Sequence, residues 1–128
     1  MNYLLVAIGS ALGGVARFWC STRVMAAVGG VFPWGTLTVN VVGSCLIGAA
    51  LGLMEPGSRW ALSDTARTYL NYFFMVGVLG GFTTFSAFSM QTLVLMRAGQ
   101  GWQAGANVVL SVIACLVAVF IGYWLANR

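Results

Sequence analysis

Histidine and lysine are both absent from this chain of 128 residues, and carboxylates number only two, Glu55 and Asp64. With no histidine and no acid inside an apolar run, general acid–base catalysis and metal ligation have nothing to work with, so an enzyme is not expected. Cysteine is scarce and odd in number. Cys20, Cys45 and Cys115 lie in apolar stretches without a Cys-x-x-Cys pair, which argues against a disulfide framework and reads as small apolar packing. Charged residues make up 6% of the chain, against about 25% in soluble domains. No basic stretch precedes the first apolar run, so a cleavable signal peptide is not expected.

What is present is hydrophobic residue, at 60% of the total. Four apolar runs, near 3–22, 34–54, 69–96 and 104–126, each meet the roughly 20 residues needed to cross a bilayer core. Short connections near 23–33, 55–68 and 97–103 leave no room for an extramembrane domain. The expected fold is a single all-α integral membrane domain, residues 1–128, with four transmembrane helices. The net charge of +4 would suggest nucleic acid in a soluble chain, but here it is read by topology. Arg59, Arg67 and Arg128 fall on one side, Arg23 and Arg97 on the other, with Arg17 near that same end of the first span. So small a bias predicts a weak orientation preference, and hence insertion both ways and an antiparallel homodimer.

Polar residues inside the runs are the candidates for function. Gly9 and Gly13 form a small-xxx-small face in the first span, and Arg17 follows one turn later. A charge at that depth faces a cavity or snorkels to the headgroups. The second span starts after Pro33 and Trp34, with Gly43, Gly48 and Gly52 read as packing residues. Its Thr36, Asn40 and Ser44 share a helical face. In the connection that follows, Pro56–Gly57 reads as a turn, Ser63 or Asp64 as a helix cap, and both acids as surface groups. The fourth span carries Asn107 and Ser111 four residues apart, with Gly105 and Gly122 as packing residues.

The third run is the most unusual. It holds 29 residues from Thr68 to Met96 and places Gly77, Gly80 and Gly81 at its centre. A straight helix of that length would span about 43 Å, which predicts a tilt, a protrusion or a break. The adjacent glycines predict a break with φ > 0, whose freed amides and carbonyls suit ions. Beyond them, "GGFTTFSAFS" repeats Phe82, Phe85 and Phe88 every three residues, and Thr83, Ser86 and Ser89 likewise. This predicts one aromatic and one hydroxyl face. Ring edges and hydroxyl donors beside an arginine, with no embedded acid, favour anions over cations.

That string, with "GTLTVN" opening the second span and "GGVAR" in the first, resembles the CrcB/Fluc family of bacterial fluoride channels. The resemblance covers the whole chain in length, span number and motif order. It implies an antiparallel, dual-topology homodimer in the bacterial inner membrane, with two pores for passive fluoride efflux. Phe82 and Phe85 are then the pair whose ring edges line the path, and Asn40 helps coordinate fluoride beside them. Thr84 and Ser86 fall on a hydroxyl track, and Arg17 lies near the vestibule. Gly80 and Thr83 carbonyls from both subunits hold a structural sodium ion on the dimer axis. Asn107 resembles a family position one turn into the fourth span, and Ser111 stands where some relatives have asparagine. No organic cofactor, nucleic acid or other protein partner is implied. Two rival classes are weaker. A four-span multidrug exporter depends on an acid in its first span, which this chain lacks. A structural subunit needs packing glycines but not aligned polar stripes.

Overall fold

A computed structural model describes residues 1–55, 60 and 62–128. The expected Pro56–Gly57 turn and Arg59 lie outside the described residues. Every regular element among the described residues is helical: α1 (Asn2–Val28), α2 (Trp34–Met54), α3 (Asp64–Tyr69), a π-helical stretch (Leu70–Leu79), α4 (Gly80–Phe82), α5 (Phe85–Arg97) and α6 (Gly101–Ala126). Among the described residues, four spans are long and apolar enough to cross a membrane: α1, α2, the tract Asp64–Arg97, and α6.

Local chemistry fixes where the helices stop. α1 runs past its expected end, through Arg23 to Val28, so the first connection is only residues 29–33. It ends because Gly29 and Gly30 take φ of 69° and 84°, the left-handed region that glycine enters without a Cβ penalty. Pro33 precedes the first turn of α2, where its missing N–H is no loss. Ser63 caps α3 by accepting the Ala66 N–H at 3.2 Å. Glu55 is not simply a surface group, because its carboxylate accepts the Tyr123 hydroxyl at 3.1 Å and ties the end of α2 to α6.

The helices meet in two pairs, α2 against α6 and α1 against the π-helical stretch. Glycine makes both close. A Cβ on Gly77 would come within 3.0 Å of the Gly9 Cα, and one on Gly81 within 2.5 Å of the Ser10 carbonyl oxygen. On the other pair, a Cβ on Gly122 would collide with the Cys45 carbonyl. Gly105 has nothing within 4 Å, so it is not the packing residue its sequence context suggested.

The third span departs from expectation in where its regular hydrogen bonding stops. Gly80 is right-handed helical, with φ −62° and ψ −38°, and Gly81 continues in α4. The extended residues are instead Thr83 (φ −84°, ψ 160°) and Thr84 (φ −155°, ψ 116°), between α4 and α5. Gly81 is glycine because α1 lies against it, and not because its backbone is unusual.

Candidate functional site

Two extended residues inside a helical tract leave peptide groups without their usual i→i−4 partners, and in apolar surroundings those groups must be satisfied some other way. Three side chains do this. Asn40, on α2, accepts the Thr84 N–H on its Oδ1 at 2.8 Å and donates from Nδ2 to the Thr84 carbonyl at 3.0 Å. Thr84 Oγ1 accepts the Ala87 N–H at 3.2 Å and so caps α5. Arg17 Nη1 donates to the Thr83 carbonyl at 3.3 Å, which settles its orientation towards the third span. Two of these bonds, to Asn40 Oδ1 and to Thr84 Oγ1, divert a backbone donor from a carbonyl. In a continuous helix the Thr84 N–H would serve the Gly80 carbonyl and the Ala87 N–H the Thr83 carbonyl. Gly43 gives α2 room beside this junction, since a Cβ there would collide with the Thr83 methyl.

Two cavities flank Thr84, which lines both. The first, about 630 Å³, is bounded by Arg17, Thr36, Thr84, Ser86 and Gln91, with Gly14, Phe18 and Met90 among its apolar walls. The hydroxyls of Thr84 and Ser86 are 3.2 Å apart there. The second, about 410 Å³, is bounded by Asn40, Ser44, Thr83, Thr84, Phe85, Phe88 and Ser111. Among the described residues, Arg17 is the only ionisable side chain apart from Cys115 on either wall, and neither wall carries a carboxylate. The N-terminus of the 13-residue α5 opens at the same point, adding the partial positive charge of its unpaired amides. The surroundings of Thr84 therefore suit a small anion.

The second cavity is backed by a polar relay between α6 and α5. Asn107, only 1% exposed, donates to Thr92 Oγ1 at 2.9 Å, and Thr92 donates to the Phe88 carbonyl at 2.8 Å. Ser111 reaches Asn107 Oδ1 at 3.4 Å, a long bond. Asn107 thus supports the wall from behind, whereas Ser111 is on it.

Most of the residues singled out in the sequence come together here: Asn40, Thr83, Thr84, Phe85, Ser86, Ser111 and Arg17. Phe82 does not. It precedes the junction, packs near Gly43 and lines neither cavity. The ring that accompanies Phe85 is Phe88, with centroids 5.3 Å apart and planes tilted by 48°. Phe85 is 78% exposed and Phe88 only 9%, so the three phenylalanines do not form one face. Nor do the hydroxyls, since Thr83 bonds back to the Leu79 carbonyl and Ser89 to the Phe85 carbonyl. Gly80 is on neither wall; what concerns it is its carbonyl, relieved of its helical donor. Thr92 and Gln91 were missed from the sequence. Thr92 was findable as the i+4 neighbour of Phe88 once α5 is known to start at Phe85. Gln91, whose Oε1 is buried without a protein donor, carried no signal.

A family model described as CrcB-like protein, Camphor Resistance (CrcB), matches residues 4–123. The chain belongs to the CrcB family. Among curated CrcB relatives, a protein of Methylocella silvestris named fluoride-specific ion channel FluC is 51% identical over 126 residues, covering 98% of this chain and 93% of that one. A Rhodospirillum rubrum protein of the same name is 51% identical across 96% of this chain and 92% of its own length. One from Opitutus terrae is 53% identical across 94% of this chain and 89% of its own.

Proposed function

We propose that this chain forms a fluoride-selective channel that lets fluoride leave the cytoplasm passively across a bacterial inner membrane. The observation that carries the reading is 51% identity, over 98% of the chain, to a protein named as a fluoride-specific ion channel. The chemistry around Thr84 supports it independently. An anion entering from the first cavity meets the Arg17 guanidinium, then the paired hydroxyls of Thr84 and Ser86. These replace part of the lost hydration with hydrogen-bond donors. Beyond Thr84 it reaches Phe85 and Phe88, whose ring edges carry partial positive charge, with Ser111 opposite. This assignment takes Phe88 in place of Phe82 as the partner of Phe85. With no carboxylate on either wall, cations find no counter-charge.

The active unit is proposed to be an antiparallel homodimer of dual topology, with the Thr83–Thr84 junction at mid-membrane and two pores. A structural sodium ion on the dimer axis fits the donor set in kind. The carbonyls of Gly80 and Thr83 both have their helical donors diverted, by Asn40 and by Thr84 Oγ1. Two oxygens from one chain are fewer than a hard cation takes, so a second copy would supply the rest. The Thr83 oxygen is shared with Arg17. When bound, the ion would supply positive charge to carbonyls that have lost their helical donors and join the two copies.

The test is efflux from liposomes loaded with potassium fluoride or potassium chloride, read with ion-selective electrodes. Rapid fluoride release without chloride release supports the channel reading. Absence of fluoride release from verified dimeric protein would refute it. Loss of fluoride flux when sodium is replaced throughout by N-methylglucamine supports the ion; unchanged flux contradicts it.

A further inference from the structure

One side chain holds both polar groups of the Thr84 peptide unit. Asn40 accepts from its N–H at 2.8 Å and donates to its carbonyl at 3.0 Å, the pair of bonds that a neighbouring strand would give an extended residue. In apolar surroundings an unpaired peptide group is expensive, so Thr84 can stay extended only while these bonds are made. Three consequences follow at once. The Gly80 carbonyl loses its helical donor. Thr84 Oγ1 swings to the Ala87 N–H and starts α5 there. The Thr83 carbonyl, deprived of Ala87, turns to Arg17.

We propose that Asn40 is a positioning residue. It governs anion passage by holding the Thr84 peptide extended. The carboxamide oxygen and one of its two amide hydrogens are engaged by the Thr84 backbone. What it presents to the ion is the result of that grip: the Thr84 hydroxyl beside Ser86, the first amides of α5, and the ring of Phe85 one residue on. Releasing the grip returns Thr84 towards the helical path, gives the Ala87 N–H back to the Thr83 carbonyl, and turns Phe85 away from the second cavity. The inference rests on the channel reading above and assigns how one of its residues works.

A backbone ester at Thr84, made by semisynthesis with the α-hydroxy analogue of threonine, removes the N–H and leaves the Asn40 side chain intact. The ester and Asn40→Ala are each expected to lower fluoride efflux about tenfold, with no further loss when the two are combined. Efflux by the ester protein within twofold of wild type, while Asn40→Ala is about tenfold lower, would overturn the proposal and make Asn40 a direct ligand. A second readout needs no flux. In hydrogen-exchange mass spectrometry of the intact protein in micelles, Asn40→Ala is expected to raise exchange at residues 83–87 about tenfold while α2 and α6 stay protected. Unchanged exchange there overturns the proposal even if the ester protein does not assemble. Should wild-type vesicles release no fluoride, it is the channel reading that fails, and the exchange result still decides whether Asn40 holds Thr84.

Discussion

Gly13→Ala adds a single methyl group where the structure leaves no room for one. A Cβ on Gly13 would lie 2.9 Å from the Phe82 nitrogen and 2.9 Å from the Val78 carbonyl carbon, and closer still to the Val78 oxygen. All three are backbone atoms, so no rotamer change relieves the clash. Comfortable separations are about 3.5–4.0 Å, so α1 has to retreat by about 1 Å or more to clear the Val78 oxygen, and a gap of only ~0.5–1 Å already forfeits a quarter to a half of each dispersion contact it opens. Overpacking of this kind costs about 1–3 kcal/mol, offset by up to ~1 kcal/mol from the better helix propensity of alanine. Gly105→Ala is the matched control. It gains the same propensity and meets nothing within 4 Å. The two variants should therefore differ by about 1–3 kcal/mol in an SDS-titration unfolding assay, with Gly13→Ala the less stable. Fluoride efflux should fall in Gly13→Ala as well, because Arg17 sits one turn further along the helix that is displaced. Equal stability of the two variants would refute the claim that close backbone approach is what the glycines of α1 provide.

Two further outcomes follow from named contacts. Asn107→Leu removes the buried donor to Thr92 and should cost about 0.6–1.7 kcal/mol in the same unfolding assay, between the average and the largest contribution of a hydrogen bond inside a membrane. Ser111→Ala should cost less, because its bond to Asn107 is 3.4 Å long. Arg67 donates to the Met54 carbonyl at the end of α2, and from Nε to the Leu62 carbonyl at 3.3 Å. Arg67→Met should therefore lower the thermal midpoint, read by tryptophan fluorescence, by an amount worth about 1 kcal/mol, and leave fluoride selectivity unchanged.

The four spans were legible because lipid demands long apolar runs, and composition alone reveals those. Asn40, Thr84, Ser111 and Arg17 were legible because polar groups at membrane depth need a reason to be there. The glycine pair was misread for a physical cause. A missing Cβ serves an unusual dihedral and a close approach equally well, and a sequence does not say which. At Gly81 it is the approach of Ser10. The register of the phenylalanines was lost for a related reason. Counting every third residue assumes one helix, but two extended residues separate Phe82 from Phe85 and reset the helical phase. Phe85 and Phe88, both after the junction, keep their phase and their contact. The π-helical stretch over Leu70–Leu79 had no signal in the sequence at all.

A proposed anion path past Thr84, between its two cavities, runs by Phe88 and not by Phe82. Fluoride efflux from liposomes should be compared for wild type, Phe88→Ile and Phe82→Ile, each verified as an assembled protein. Flux largely lost in Phe88→Ile and largely kept in Phe82→Ile is the result expected of a path lined by the rings after the junction. The reverse pattern, with Phe82 essential and Phe88 dispensable, would contradict it and move the path to the other side of Thr83.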